Sequence, residues 1–110
     1  MDLKIYQERA SKTAIFPNEK AMEYLALGIT SEAGEVAGKV KKLIRDGADQ
    51  EGLEQARIDI ALEVGDVMWY CAMLAKEIDT DLESIMFANL SKLEGRQKRN
   101  TLHGEGDHRW

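Results

Sequence analysis

The sequence predicts an all-α protein, a four-helix bundle completed by oligomerisation. Three observations carry this. Proline occurs once, at Pro17. Long uninterrupted runs are rich in Ala, Leu, Glu and Lys, residues that lose little freedom in a helix. Apolar residues recur at helical spacing inside segments bounded by turn and cap residues.

The first helix falls near residues 2–13, with Leu3, Tyr6 and Ala10 on one side, and breaks at Pro17-Asn18. The second runs from about Glu19 to Arg45 and stops at Asp46-Gly47, a pairing suited to a C-terminal cap. Its apolar residues Met22, Leu25, Ala26, Ile29, Ala33, Val36, Val40, Leu43 and Ile44 form one stripe. The third runs from about Leu53 to Ile78, and the fourth from about Leu82 to Arg99, capped by Thr80 or Asp81. The tail, Thr101–Trp110, holds two glycines and both histidines and reads as a loop. The whole of 1–110 is expected to form a single domain, since a chain of 110 residues leaves little room for a second.

The third helix is apolar on two sides. Ile60, Val64, Val67, Cys71, Leu74, Ala75 and Ile78 make one stripe; Leu62, Trp69, Ala72 and Met73 make another. Both must be covered, and four helices cover one side well. The second side therefore predicts a further copy of the chain, in a homodimer or homotetramer.

The formal net charge of −5 argues against a partner recognised through its nucleic-acid backbone. It leaves room for a small anionic ligand, because divalent cations bridge carboxylates and phosphates. Cys71 is the single cysteine, which excludes an intramolecular disulfide and suits a reducing cytoplasmic setting. No run of about 18 apolar residues is present, so no membrane span is expected.

The chemistry is concentrated in two acidic pairs. Glu32-x-x-Glu35 lies on the second helix and Glu63-x-x-Asp66 on the third. A spacing of three puts both members of a pair on one helix face. If the two helices pack antiparallel, all four carboxylates reach one pocket. Such crowding raises carboxylate pKa values, and a divalent cation relieves it. All-oxygen ligands favour Mg²⁺, with Mn²⁺ as a substitute, over zinc. Either pair alone also reads as ordinary solvated surface acids, with Glu35–Lys39 as a surface ion pair. Together the pairs are harder to read that way, because each borders an apolar stripe. A di-iron carboxylate bundle would need Glu-x-x-His pairs, which the helices lack.

These residues carry a family resemblance. Ser31-Glu32-Ala33-Gly34-Glu35-Val36, then Lys39-Val40-Lys41-Lys42, then Glu63-Val64-Gly65-Asp66-Val67-Met68-Trp69-Tyr70, resembles the MazG-like nucleotide pyrophosphohydrolases. Their mark is an E-x-x-E pair followed, after a spacer, by E-x-x-D. Tyr6-Gln7, Asn89-Leu90-x-Lys92-Leu93-x-x-Arg96 and His103-Gly104-x-Gly106-Asp107-x-Arg109 are similar to the compact, often phage-encoded branch. Many relatives have two adjacent acids at the first site; here the first of them is Ser31. The resemblance implies an all-α bundle that hydrolyses nucleoside triphosphates to monophosphate and pyrophosphate. It also implies Glu32, Glu35, Glu63 and Asp66 as magnesium ligands, with Glu32 or Glu35 accepting the proton of the attacking water. The rival reading is a non-catalytic helical dimerisation module with surface acids.

Other candidates are weaker. Lys39, Lys42, Lys92 and Arg96 suit phosphate binding, or serve as solvated charges. Asn89 suits a base edge or a helix end. Tyr70, on the acidic flank, suits base stacking, while Trp69 suits subunit packing. A substrate role for Tyr6 and Gln7 rests on the resemblance alone.

Overall fold

The structure, a computed structural model, describes residues 1–100, 104 and 106. The expectations for the rest of the tail, including His103 and His108, lie outside these residues.

Three of the four α-helices among the described residues begin where a short acid takes up a free backbone N–H. Helix α1 spans Leu3–Ser11, and the Asp2 carboxylate accepts from the Ile5 N–H at 2.8 Å. Leu3, Tyr6 and Ala10, the side expected to be apolar, face the core. A 3₁₀ turn, Asn18–Lys20, follows Pro17 and feeds α2, Ala21–Asp46. The regular helix therefore opens two residues after the expected Glu19. It closes at Gly47, whose N–H still reaches the Leu43 carbonyl at 2.8 Å and whose φ of 68° then turns the chain out of the helix.

Helix α3 spans Gln50–Glu77 and starts three residues before the expected Leu53. The reason is polar rather than apolar: Asp49 accepts from the Gly52 N–H at 2.8 Å. At its far end, Asp79 takes a left-handed φ of 62°, and the Thr80 N–H returns to the Ala75 carbonyl at 2.9 Å. Helix α4 spans Leu82–Lys98. Of the two candidate caps, Asp81 is the one used, accepting from the Ser84 N–H at 2.8 Å.

Only residues 47–49 separate α2 from α3, so the two fold back as an antiparallel hairpin along most of their length. Helix α1 lies against α3. Helix α4 packs on α1 and α3, and among the described residues its backbone does not come close to that of α2. Ala10, Leu25, Ala72, Met73 and Leu82 form the buried core, ringed by Phe16, Trp69, Tyr70 and Leu74 among others. This core sits where the start of α2 and the end of α3 meet α1.

At that end residues from both apolar sides of α3 pack on the core, Ala72 and Met73 buried and Cys71 and Leu74 partly so. Trp69, expected to face a second subunit, packs beside the core of its own chain, half-buried, and donates its indole N–H to the Thr13 hydroxyl at 2.9 Å. At the other end the hairpin is bare, with Ile44 82 % exposed and Ile58 and Leu62 also uncovered. The all-α class stands, with no strand among the described residues.

Candidate metal centre

Because α2 and α3 run in opposite directions, the polar flank of each meets the other residue by residue. Gly28 faces Tyr70, Glu32 faces Glu63 and Asp66, and Lys39 faces Glu63. Further toward the turn, Lys42 and Asp59 line one cavity. The i, i+3 and i, i+4 spacings on each helix thus become rungs across the hairpin.

Three of the four expected carboxylates converge. Glu32, Glu63 and Asp66 each offer an oxygen, and these oxygens lie within 4.8 Å of one another. Glu32 and Glu63 are half-buried and Asp66 is exposed. Glu35 stands outside this trio on the exposed side of α2, though its charge still reaches Glu32. The Glu32 carboxyl is pushed above its ordinary value. Desolvation is the main cause, followed by the Asp66 charge, a hydrogen bond with Glu63, and the charges of Glu63 and Glu35. A site that strains against its own negative charge, with oxygen donors alone, fits a hard divalent cation.

Lys39 faces the trio as a cation. Its ammonium lies 3.7 Å from the Glu63 carboxylate. The sequence suggested Glu35, one turn away on the same helix, as its partner; the cross-hairpin pair is formed instead. Lys39 and Lys42 also line a cavity of about 290 Å³ with Leu43, Asp46, Ala56 and Asp59. A larger cavity, of about 570 Å³, lies among Asp2, Gln7, Lys76 and Asp81 and contains none of the acidic trio.

Aromatic rings close the opposite end of the site. Tyr70 packs edge-on against Trp69 at 5.0 Å and tilts against Tyr24 at 6.3 Å; Tyr24 in turn stacks on Phe16 at 5.8 Å. A hydrogen bond to Tyr24 first, then burial, then the charges of Tyr24, Glu32 and Asp66 raise the Tyr70 hydroxyl above its ordinary value. Burial first, then the Asp66 charge, does the same to Tyr6. Tyr24 and Phe16 were not singled out from the sequence. The signal available was the spacing of Tyr24 from Gly28, four residues and therefore one turn along the same flank.

The model matched by the chain describes the "MazG nucleotide pyrophosphohydrolase domain" and covers residues 20–101. The chain belongs to the MazG family. The match begins at the 3₁₀ turn before α2 and runs past the end of α4, so it contains the four acids, Lys39, Tyr24 and Tyr70. A relative, "Gene 37 protein" of Mycobacterium phage L5, is 42% identical over 115 residues, covering 99% of this chain and 100% of that protein. No solved structure matches significantly.

The remaining candidates of this MazG chain sit elsewhere. Gln7 accepts from the Leu82 N–H at 3.0 Å and its amide donates to the Thr80 carbonyl at 3.5 Å, tying α1 to the start of α4. That is a structural task, where the resemblance suggested contact with substrate. Asn89 and Lys92 lie on α4, whose backbone does not come close to that of α2 among the described residues. Arg96 is buried and donates to the Gly106 carbonyl at 3.0 Å, which holds one described residue of the tail against α4. Cys71 is half-buried, and burial raises its thiol above the ordinary value, which suits packing rather than nucleophilic chemistry.

No helix among the described residues is long and apolar enough to cross a membrane.

Proposed function

We propose that this chain, acting as one unit over 1–110, hydrolyses nucleoside triphosphates to nucleoside monophosphates and pyrophosphate with Mg²⁺, for which Mn²⁺ substitutes. The observation that carries this reading is the convergence of Glu32, Glu63 and Asp66 from two helices, in a chain of the MazG family. Glu32, Glu63 and Asp66 would hold the cation, with Glu35 beside them. A divalent cation bound there supplies neutralisation of phosphate charge and a water of lowered pKa.

The chain's own groups divide the remaining work. Glu35, exposed and outside the trio, is the carboxylate left to take the proton of the attacking water. Lys39 and Lys42, on the same flank of α2, would receive the departing phosphates. The aromatic group of Tyr24, Tyr70 and Phe16 offers ring faces to a base. Asn89, Lys92 and Arg96 would contribute from α4. The setting would be cytoplasmic.

A homodimer or homotetramer belongs to the same reading. The Cα radius of gyration is 17.1 Å, against about 13 Å for a compact chain of this length. Phe87 on α4 is 72 % exposed, and Leu27, Ile44 and Leu62 are uncovered on the hairpin. A second copy would cover these faces.

The test is pyrophosphate release from a panel of ribo- and deoxynucleoside triphosphates, with Mg²⁺ and with EDTA. Glu63→Ala and Asp66→Ala are expected to lower turnover on the order of 10²-fold, the scale of one lost charge-stabilising contact. Turnover that survives EDTA, or that ignores both substitutions, would remove this reading; no turnover on any nucleotide would leave the helical dimerisation module.

A further inference from the structure

Lys39 is the group in the acidic flank whose place the sequence explains least. An ammonium one turn from Glu35 would ordinarily pair along its own helix. Here it crosses the hairpin and sits 3.7 Å from Glu63, one of the three converging carboxylates. Neither partner is freely solvated: the side chains are 34% and 19% exposed. The pair is therefore partly shielded from water, where charge interactions are larger than on an open surface. On its other side Lys39 borders the cavity of about 290 Å³ that Lys42 also lines.

Those two facts set up a competition. The Glu63 carboxylate can be neutralised by the Lys39 ammonium or by a divalent cation, and both would be repelled by sharing it. The cavity beside Lys39 gives the displaced ammonium somewhere to go, next to a second lysine. Asp46 and Asp59 also line that cavity, so the count of free ammonium groups decides whether an anion is held there: two once Lys39 has let go of Glu63, and only one while the pair persists.

We infer that Lys39 is a resident counter-cation of the acidic trio. It holds Glu63 in the metal-free protein, and it turns to a substrate or product phosphate in the cavity with Lys42 when a divalent cation is bound. This rests on the hydrolase reading above and deepens it. Lys39 would be a positioning residue with opposite effects on two ligands: it opposes the cation and favours the anion. A lysine that merely braced the hairpin would, on removal, weaken both.

The experiment measures binding without catalysis. Calorimetric titration of the full chain with Mn²⁺ alone, and of the Mn²⁺-loaded protein with inorganic pyrophosphate, is compared between wild type, Lys39→Met and Lys39→Arg. In Lys39→Met the Mn²⁺ dissociation constant is expected to fall on the order of tenfold, as one nearby positive charge is removed. The pyrophosphate dissociation constant is expected to rise by about the same factor. Lys39→Arg keeps the charge and is expected to stay near wild type in both. Weaker binding of both ligands to Lys39→Met, or unchanged Mn²⁺ affinity, overturns the proposal while leaving the hydrolase reading intact. If wild type binds no Mn²⁺, the hydrolase reading itself has failed. Should Lys39→Met not fold, the wild-type protein labelled with ¹³Cε-lysine supplies the answer. One lysine resonance, identified through Lys39→Arg, is expected to shift with Mg²⁺ and again with pyrophosphate, and a Lys39 signal that ignores both overturns the proposal.

Discussion

The ring of Tyr70 lies over Gly28 at the place where any other residue would put its Cβ. This contact joins α2 to α3 one turn from Glu32 on one helix and from Asp66 on the other. It is where the aromatic group and the acidic flank meet. In an exposed helix, exchanging glycine for alanine gains about 1 kcal/mol. At Gly28 the sign is expected to reverse. The added methyl would force the Tyr70 ring aside, and overpacking of this kind costs about 1–3 kcal/mol. Urea denaturation of Gly28→Ala should show a lower midpoint than wild type, and near-ultraviolet circular dichroism should report a changed tyrosine environment. A midpoint above wild type would mean that the ring does not hold this position.

The acids divide into a converging trio and one outside it, and this separates two kinds of loss. Glu63→Gln is expected to lower turnover on the order of 10²-fold and to shrink the rise in melting temperature that Mg²⁺ produces. Glu35→Gln is expected to lower turnover while leaving most of the Mg²⁺ stabilisation in place, because its carboxylate lies outside the three that converge. Thermal melts with and without Mg²⁺, beside initial rates, check both. Equal loss of Mg²⁺ stabilisation in the two variants would place Glu35 among the ligands.

Gln7 reads as a clamp. Its side-chain oxygen is held by the Leu82 N–H at the first residue of α4. Truncation in Gln7→Ala leaves that partly buried N–H without its acceptor, at a cost of about 1–3 kcal/mol. Chemical denaturation should show this, while KM for the preferred nucleotide stays near wild type. A raised KM with unchanged stability would return Gln7 to the substrate.

The pH dependence of stability should carry the signature of Asp81. Hydrogen bonding from the Ser84 backbone, assisted by the Ser84 hydroxyl and the Lys4 charge, holds its carboxyl below the usual 3.8. A group whose folded pKa is depressed adds stability above its unfolded pKa and loses it as pH falls through the folded value. The α4 cap should therefore weaken only below pH 3.8, the ordinary aspartate value. Asp81→Asn keeps a capping side chain without the charge, so its denaturation midpoint should fall less steeply over that acid range. Parallel acid limbs in the two proteins would exclude Asp81 as the source.

The bare end of the hairpin and the outer side of α4 should be covered in solution. Ile44→Glu and Phe87→Glu each place a charge on an exposed apolar position. Light scattering after size exclusion should report an oligomer for wild type and a shift toward monomer for one or both variants. A wild-type monomer at high protein concentration would leave these faces unexplained.

Much of this could be read along the chain. The apolar side of α1 through Leu3, Tyr6 and Ala10, the stop at Gly47 and the cap at Asp81 all follow from local rules: period, φ preference and a short acid before a helix. The start of α3 was read late because Leu53 opens the apolar period, whereas Asp49 opens the helix by a hydrogen bond that periodicity does not register. The contacts of Trp69 within its own chain were not legible for a related reason. Its place on a second apolar side is a property of α3 alone, but which chain covers that side depends on where α1 lies.

The sequence by itself determined the all-α class, the four helices, and two acidic pairs each confined to one helix flank. These follow from the 3.6-residue repeat, which acts within a single helix. The tertiary structure decided the rest: that Glu32, Glu63 and Asp66 converge while Glu35 stands apart, that Lys39 faces Glu63, and that Tyr70 needs the bare backbone of Gly28. Each of these is a contact between helices. The register of an antiparallel pair is set by how side chains interlock across it, and no repeat within one strand of sequence encodes that alignment.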